Sequence, residues 1–295
     1  MNIAILSRGE TLYSTQSLLK AGEARNHNME VLDPSYSNLM IENGKAALYY
    51  EGDKIDYLDA IIPRIGASNT LFGSNVVRHF ETMGVFSVVS SQSILNSRDK
   101  WTSFQILAKN NIPVPRTLYA SYFEFEEQLE TFGNRPIIIK LLEGTHGEGV
   151  ILTESRQNAL STIETLNAAG VKFILQEYIE ESKGSDLRAI VVDGVVVASM
   201  KRKSKTGDFR SNLHRGGTSE KIELTSLEEK VAIKSAQALG LGFCGVDILQ
   251  SKNGPLVLEI NSTPGLEGIE TTSNKNISKS VIGFIERNRN RKPTF

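Results

Sequence analysis

Apolar and polar positions alternate with a period of two in the last third of the chain, first in Val246–Leu249 and again in Leu256–Asn261. This period predicts two strands, each with one buried face. Ser251–Pro255, between them, is rich in turn-forming residues and has the length of a hairpin loop. The pattern therefore predicts an antiparallel hairpin.

The register of this hairpin follows from the same alternation. Centring the turn on Asn253 pairs Ile248 with Leu258 and Asp247 with Glu259, whereas a slip of one residue would mix the apolar and polar faces. The two carboxylates are then cross-strand neighbours with Cβ atoms about 4.5–5.5 Å apart. They repel each other unless a divalent cation bridges them or one of them keeps its proton.

Asn261 adds a neutral oxygen to the same face, two residues beyond Glu259. Asp, Glu and Asn oxygens suit a hard cation, and Mg²⁺ is commonly held by one or two carboxylates together with substrate phosphates. We therefore predict that Asp247, Glu259 and Asn261 bind a metal. The alternative is that these residues form the solvated outer face of an edge hairpin.

Strand and helix patterns alternate in the first 95 residues. Strands are predicted over Asn2–Leu6, Met29–Leu32 and Ala60–Ile62, and helices over Thr11–Asn26 and Ser74–Met83. Such alternation predicts parallel strands in a doubly wound, Rossmann-like sheet. The loop after the first strand lacks the G-x-G-x-x-G fingerprint, so we predict no dinucleotide site there.

The rest of the chain is predicted to form a small and a large lobe. The small-lobe elements are a helix over Arg98–Lys109 capped by Ser97, a helix over Gln157–Ala169, and strands over Arg135–Leu142, Val150–Thr153 and Val171–Tyr178. The large-lobe elements are a hairpin turning at Asp193-Gly194, a helix opened by a capping box at Thr225 and Glu228, the hairpin described above, and a helix over Ile277–Asn288. We therefore expect three units, residues 1–95, 96–178 and 179–295.

Length and composition narrow the class of protein. A chain of 295 residues with 40% hydrophobic content can form two or three packed units, and its net charge of −1 gives no bulk attraction to nucleic acid or membranes. The single cysteine, Cys244, excludes an internal disulfide and a multi-cysteine zinc set. No apolar run approaches the roughly 18 residues of a membrane span, and the first residues resemble a strand rather than a signal peptide. We therefore expect a cytoplasmic protein.

Two segments could contact a nucleotide. The glycine-rich stretch Gly144–Gly149 joins two predicted strands and lacks a Walker A ending, but its backbone N–H groups could approach an oxyanion, with Lys140 as a nearby cation. Gln176–Ile179 ends an apolar strand on polar groups that could meet an adenine edge. A tight turn and an ordinary strand terminus are the corresponding alternatives.

The segment Lys201–Gly217 carries six Lys and Arg residues, which favours binding of a polyanion. Nucleic acid is the first candidate on charge alone, but only one aromatic, Phe209, is interleaved and the chain as a whole is not basic. A loop that holds nucleotide phosphates and a carboxylate substrate suits the composition equally well. The four histidines are scattered, so we predict no zinc site.

This ordered set of segments resembles the ATP-grasp superfamily, specifically the RimK-type α-L-glutamate ligases, over essentially the whole chain. The most specific pieces are MNIAILSRGETLYS at the start, IIPRIG (61–66), SRDKW (97–101), KLLEGTHGEGV (140–150), GDFRSNLHRGG (207–217) and EINSTPGLEGIE (259–270). The resemblance implies an ATP-grasp fold preceded by the Rossmann-like domain, with ATP between the small and large lobes.

The resemblance also implies roles for individual residues. The implied ATP contacts are Lys100, Lys140, Gly144, Gly147, Gly149, Glu177, Tyr178, Asp186, Arg210, Ser211 and Asn212. Among these, Glu177 and Tyr178 would contact adenine and Asp186 the ribose. The implied ligands of two Mg²⁺ or Mn²⁺ ions are Asp247, Glu259 and Asn261, and the implied catalytic cations are Arg210, Arg202 and Arg188.

The implied reaction is ATP-dependent joining of a carboxylate to an amine through an acyl phosphate. It would add L-glutamate to the C-terminal carboxylate of a protein, with a small-subunit ribosomal protein as the expected acceptor and a homo-oligomer, a tetramer, as the expected assembly. The alternatives are an acceptor that is a small-molecule cofactor or an amino-group carrier protein, a non-catalytic ATP sensor, and an RNA-binding module. The metal set argues against the sensor, and the RNA module requires salt-sensitive binding without ATP.

Overall fold

The computed structural model describes residues 1–120, 125–143, 149–204, 209–211 and 216–290. The strands are β1 (Asn2–Leu6), β2 (Asn28–Leu32), β3 (Ser37–Glu42), β4 (Lys45–Tyr50), β5 (Asp53–Ile55), β6 (Ala60–Pro63), β7 (Phe86–Ser87), β8 (Thr117–Leu118), β9 (Ile137–Leu141), β10 (Val150–Thr153), β11 (Phe173–Glu177), β12 (Ser185–Val192), β13 (Val195–Lys203), β14 (Thr218–Lys221), β15 (Phe243–Ser251) and β16 (Gly254–Asn261). The α-helices are α1 (Tyr13–Glu23), α2 (Thr70–Thr82), α3 (Ser91–Arg98), α4 (Lys100–Lys109), α5 (Phe125–Glu130), α6 (Arg156–Ala168), α7 (Ser226–Ala238), α8 (Glu267–Ser273) and α9 (Ile277–Asn288).

The N-terminal region contains a parallel sheet in the order β2-β1-β6-β7, which confirms the predicted parallel α/β arrangement. The strand order reverses between β1 and β6, because the chain goes from β1 to β2 on one side and from β6 to β7 on the other. Right-handed crossovers then put α1 and α2 on opposite faces of the sheet. An antiparallel sheet in the order β3-β4-β5 lies between β2 and β6 in the chain, and the sequence analysis does not predict it. Its turn at Asn43-Gly44 is the available signal, since both residues have the positive φ of a tight hairpin turn.

The two lobes that follow are built on antiparallel sheets. The small lobe has the strand order β10-β9-β11-β8 and its own apolar core, to which Phe132, Ile139 and Leu175 belong. The large lobe has the order β14-β13-β12-β15-β16, and α7 packs against this sheet. The capping box at Thr225 and Glu228 and the last helix have the predicted positions.

A single apolar core runs through the N-terminal sheet and the large lobe. Phe86 of β7 meets Phe284 of α9 edge-on, with ring centroids 5.6 Å apart, and Val89 forms a backbone bridge to Leu241. The N-terminal region and the large lobe are therefore packed as one body, and the division at residue 95 stays a prediction. Among the described helices, none has both the length and the apolar character required to cross a bilayer.

The hairpin of β15 and β16 differs from the prediction by one β-bulge. Asp247 is opposite Glu259 as predicted, but Ile248 is opposite Val257. Leu258 is the extra residue of the bulge, so Val257 takes the place in the core and is 0% exposed. The predicted pairing of Ile248 with Leu258 is therefore wrong, because strict alternation along the strand does not hold across a bulge.

The start of α4 also differs from the prediction. Asp99 caps this helix, since its Oδ1 accepts the N–H of Thr102 at 2.8 Å. Ser97 lies inside α3, where its hydroxyl donates to the carbonyl of Ile94 at 3.0 Å. The predicted continuous helix from Arg98 is therefore wrong at its first turn, and the Asp99 cap separates Arg98 from Lys100.

Candidate active site

One face of the large-lobe sheet is charged. Strand pairing puts Arg188 of β12 opposite Asp247 of β15, which is in turn opposite Glu259 of β16. Two residues before Arg188, Asp186 lies opposite Arg202 of β13. Directly opposed residues in an antiparallel sheet point to the same side. These five side chains therefore share one face, and we call them the sheet cluster.

Hydrogen-bonded ion pairs connect Arg188, Asp247, Arg202 and Asp186 of the sheet cluster. Arg188 donates from Nε to Oδ1 of Asp247 at 2.7 Å and from Nη2 to Oδ2 at 2.6 Å. Arg202 donates from Nη2 to Oδ2 of Asp247 at 2.9 Å and from Nε to Oδ1 of Asp186 at 2.7 Å. Asp247, Asp186 and Arg202 are all nearly buried. The structure thus fixes both guanidinium groups against carboxylates, and the predicted contact of Asp186 with ribose stays a prediction.

This network explains how a buried carboxylate is tolerated beside Glu259. Burial alone would raise the pKa of Asp247, but Arg188 and Arg202 hold it well below its usual range. Burial lowers the pKa of Arg202, yet Asp247 and Asp186 raise it above its ordinary value. The strand pattern alone suggests a bridging metal or a retained proton as the relief of this repulsion. In the structure, two guanidinium groups from other strands supply the positive charge.

The three predicted metal ligands lie on neighbouring strand positions. Asn261 donates from Nδ2 to Oε1 of Glu259 at 3.1 Å, and Glu259 is exposed beside the buried Asp247. In the part of the chain that the structure describes, no group of three His, Cys, Asp or Glu residues could hold a metal by itself. Two carboxylates with one amide oxygen nevertheless fit Mg²⁺, which usually takes its remaining ligands from water and substrate phosphates.

Two lysines from other elements carry positive charge toward Glu259. Lys100 of α4 donates from Nζ to the carbonyl of Leu142 at 3.0 Å. Burial, opposed by Glu259, lowers the pKa of Lys100. Burial also lowers the pKa of Lys140 of β9 to about 8, with a further contribution from Lys100 and opposition from Glu259 and Asp247. The structure therefore brings Lys100 and Lys140 toward the sheet cluster, where they suit an anionic ligand.

Glu177 is the last residue of β11, and Tyr178 follows it. The backbone N–H of Glu177 donates to the carbonyl of Arg116 at 2.9 Å, and its Oε1 accepts the N–H of Arg116 at 2.8 Å. The N–H of Tyr178 points to the carbonyl of Pro136 at 3.4 Å. Within the described ranges, no hydrogen bond or ion pair joins Glu177 or Tyr178 to the sheet cluster. Their contact with adenine stays a prediction.

Gly149 closes the connection between β9 and β10. It has φ of +70°, and a Cβ atom there would lie 2.9 Å from the side chain of Leu141. Its carbonyl accepts the N–H of Leu141 at 2.8 Å, so this position requires glycine for both conformation and space. The predicted phosphate contacts Gly144 and Gly147 lie outside the described residues.

The structure describes only part of the basic segment Lys201–Gly217. The Arg210 guanidinium carbon lies 5.2 Å from the ring centroid of Phe209, and Ser211 is buried. Asn212 lies outside the described residues. The predicted roles of Arg210, Ser211 and Asn212 stay predictions.

Arg98 is a candidate that the sequence analysis does not identify. It is the last residue of α3, and it donates from Nη2 to the carbonyl of Ile65 at 2.7 Å. Burial lowers its pKa, whereas the charge of Glu259 raises it. The available signal was its place in the SRDKW segment, two residues before Lys100.

Comparison with solved structures identifies the fold. The fold is similar to that of the ATP-grasp ligase PsnB, in a structure described as complexed with minimal precursor, Mg and ADP. The TM-score is 0.76 at 21% sequence identity, and the alignment covers 98% of each chain. The fold is therefore that of an ATP-grasp ligase.

Comparison of sequences then identifies the family. A model described as the RimK-like ATP-grasp domain matches residues 97–285, and one described as the RimK PreATP-grasp domain matches residues 1–94. The chain is 48% identical over 289 residues to proteins named "Probable alpha-L-glutamate ligase" from Maridesulfovibrio salexigens and Vibrio vulnificus. These alignments cover 98% of this chain and 96% of each relative. The chain belongs to the RimK-like ATP-grasp family and is an ATP-dependent ligase.

Proposed function

We propose that this enzyme joins the amino group of L-glutamate to the C-terminal carboxylate of a protein, and that a small-subunit ribosomal protein is the acceptor. The names of the relatives support glutamate as the amine substrate. The observation that carries the proposal is the convergence of Asp247, Glu259, Lys100 and Lys140, which suits the phosphates of a metal-bound nucleotide. A peptide acceptor is favoured over a small-molecule cofactor or a carrier protein because another similar PsnB structure is described as complexed with precursor peptide PsnA2.

The proposed reaction has two steps. A carboxylate is a poor electrophile, so its oxygen first takes the γ-phosphoryl group of ATP, which releases ADP and forms an acyl phosphate. The glutamate amine then attacks the acyl carbon and loses a proton, and phosphate leaves from the tetrahedral intermediate. Lys100 and Lys140 would bind phosphoryl oxygens, and Arg188, Arg202 and Arg210 would stabilise the oxyanion.

The arginines of the sheet cluster are suited to this role because they are held in place before substrate binds. Arg202 is 4% exposed and paired with two carboxylates, whereas Arg188 is 15% exposed and more accessible to substrate. A fixed cation needs little reorganisation when negative charge develops in the transition state. Arg188 is therefore the better candidate for direct contact, with Arg202 holding Asp247 in position.

Asp247, Glu259 and Asn261 would hold two Mg²⁺ or Mn²⁺ ions, which neutralise charge on the phosphoryl oxygens when bound. The remaining proposed nucleotide contacts are Gly144, Gly147, Gly149, Glu177, Tyr178, Asp186, Ser211 and Asn212. We further propose that the chain divides into the three units 1–95, 96–178 and 179–295. The protein would be cytoplasmic and would assemble as a homotetramer.

The test combines the protein with ATP, Mg²⁺, L-glutamate and candidate acceptors. ADP release together with a ladder of products spaced by one glutamyl residue on a ribosomal protein is the expected result. A product on a small molecule or carrier protein would instead identify the alternative acceptor. Binding of ATP without turnover on any acceptor would contradict the ligase function, and binding of RNA without ATP would favour the RNA-binding alternative.

A further inference from the structure

Five buried polar side-chain atoms lack a hydrogen-bond partner among the described residues, and four of them come from three short segments of the fold. The four are Arg64 Nη1 after β6, Arg98 Nε at the end of α3, and Ser262 Oγ and Thr263 Oγ1 after β16; the fifth, Ser74 Oγ, lies in α2. Ser262 is only 2% exposed. Buried donors are normally satisfied by protein or water, and an unsatisfied donor on a charged group is especially unfavourable. Such a group of atoms leaves hydrogen-bonding capacity for a ligand or for ordered water.

Hydrogen bonds to main-chain carbonyls bring the two arginines together. Arg64 donates from Nη2 to the carbonyl of Pro264 at 2.7 Å, directly after the two hydroxyl residues. Arg98 donates from Nη2 to the carbonyl of Ile65 at 2.7 Å, next to Arg64 in the chain. Burial, and then the charge of Arg98, lower the pKa of Arg64 to about 10. The two guanidinium groups are therefore neighbours beside the loop that follows β16.

This location is a favourable ligand site in an open parallel sheet. Arg64 directly follows β6, and its N–H donates to the carbonyl of Leu6 at the end of β1. The strand order reverses between these two strands, and ligands bind in the crevice at the carboxyl ends of strands where such a reversal occurs. The N–H of Leu266 donates to Oγ of Ser14 at 3.1 Å, so the segment after β16 lies against this crevice.

The charge at this position favours an anion. In the described part of the chain, Arg64 and Arg98 form no ion pair, and the charge that acts on Arg64 is that of Arg98. Glu259 is the acidic residue whose charge acts on Arg98. The Arg64 guanidinium also lies 5.8 Å from the ring centroid of Phe243, which leaves its edge for hydrogen bonding. Guanidinium groups match the planar, two-oxygen geometry of a carboxylate.

We propose that Arg64, Arg98, Ser262 and Thr263 form a subsite for the carboxylate group of an amino-acid or peptide substrate. This subsite rests on the proposed ligase function, in which L-glutamate and the C-terminus of the acceptor both carry a carboxylate. Ser262 and Thr263 directly follow Asn261 in the chain, and the charge of Glu259 acts on Arg98. A carboxylate bound at the subsite is therefore close to the proposed metal ligands.

The kinetic test uses Arg64→Met and Ser262→Ala in the full-length enzyme. Loss of a charge-assisted hydrogen bond to a carboxylate corresponds to about 10–100-fold in affinity. We expect KM for L-glutamate or for the acceptor to rise by this factor in Arg64→Met and by less in Ser262→Ala, while KM for ATP changes by less than about twofold. The substrate whose KM rises identifies the bound carboxylate. A rise confined to KM for ATP would assign the site to phosphate and overturn the proposal.

Two further measurements separate binding from structure. Exposed Arg289 provides the control Arg289→Met, which removes the same charge elsewhere and should leave every KM unchanged. Thermal unfolding is followed for each variant, because Arg64→Met also loses the bond to Pro264. A lowered Tm with native KM values in Arg64→Met, together with native kinetics in Ser262→Ala, means a purely structural role and overturns the subsite.

Direct binding distinguishes failure of the subsite from failure of the ligase proposal. Calorimetry in the presence of a non-hydrolysable ATP analogue measures the Kd of L-glutamate and the Kd of a ribosomal-protein C-terminal peptide. The peptide is tested both as the free acid and as the amide. We expect carboxylate-dependent binding that weakens in Arg64→Met. If the native enzyme binds these carboxylates but forms no amide, only the ligase proposal fails. If it forms the amide while Arg64→Met binds as tightly as the native enzyme, only the subsite fails.

Discussion

Arg188 and Asp247 are direct cross-strand neighbours whose side chains are joined by two hydrogen bonds, of 2.7 and 2.6 Å. Asp247 also accepts a bond from Arg202, and its side chain is 1% exposed. Asp247 and Asp186 together balance the charge of the two guanidinium groups, and removal of Asp247 leaves Arg188 uncompensated. Asp247 is therefore both a proposed metal ligand and the residue that holds the two arginines in the sheet.

Asp247→Asn is expected to abolish turnover and also to destabilise the protein. Asparagine preserves the shape of the side chain but leaves Arg188 with a neutral partner, whereas Arg202 keeps its pair with Asp186. Breaking a buried ion pair on one side costs about 3–5 kcal/mol in free energy of unfolding. Denaturant unfolding of the variant, measured beside ADP release, checks both effects. An unfolding free energy equal to that of the native protein would contradict the structural part of this prediction.

Glu259→Gln separates metal binding from stability, because Glu259 is exposed and Asp247 is not. We expect turnover to fall by about 100-fold or more, since residues that only support metal ligands already account for 10–100-fold. The Tm is expected to stay within about 2 °C of the native value, as for most exposed substitutions. Glu259→Asp, which keeps the charge, should retain part of the activity at raised Mg²⁺. Full activity of Glu259→Gln would contradict the metal assignment.

The elements that carry the site could largely be predicted from local pattern. The alternation around Asp247 and Glu259 predicted both the hairpin and the opposition of the two carboxylates, and the structure confirms them. The bulge at Leu258 could not be predicted in this way, because an extra residue leaves the apolar composition of the strand unchanged. The consequence is local, since Val257 and Leu258 exchange faces while the register at Glu259 is preserved.

The partners of Asp247 could not be predicted from spacing. Arg188 and Arg202 are 59 and 45 residues away in the chain, and only the antiparallel order of β13, β12 and β15 brings them to the same face. A single-sequence pattern contains no information on which strands are neighbours across such distances. The same reason explains why Arg64 and Arg98 were not recognised as neighbours.

The lowered pKa of Lys140 predicts a pH dependence of nucleotide binding. A lysine whose pKa is about 8 loses its positive charge above that pH, so its attraction for phosphate weakens as the pH rises. We expect the Kd of a non-hydrolysable ATP analogue to rise above about pH 8, approaching tenfold per pH unit. Calorimetric titrations between pH 7 and 9.5 measure it. In Lys140→Arg the cation persists through this range, so a native-like rise in that variant would show that another group is responsible.

Glu286 of α9 forms ion pairs with Arg25 and His27 of the N-terminal region, and their strength depends on pH. Its carboxylate accepts hydrogen bonds from Arg25 and His27, and Arg25 is the main cause of a Glu286 pKa lowered to about 2. A carboxylate with a depressed folded-state pKa stabilises the protein above its unfolded value near 4.3, and that contribution is lost as the pH falls toward 2. Glu286→Gln should therefore lower the Tm at pH 7, and the difference from the native protein should shrink below about pH 4.5. Thermal unfolding between pH 3 and 7 measures the Tm difference between Glu286→Gln and the native protein. Glu23→Gln, on the exposed surface of α1, is the control. A Tm difference that is constant over the range would show that the ion pair does not contribute.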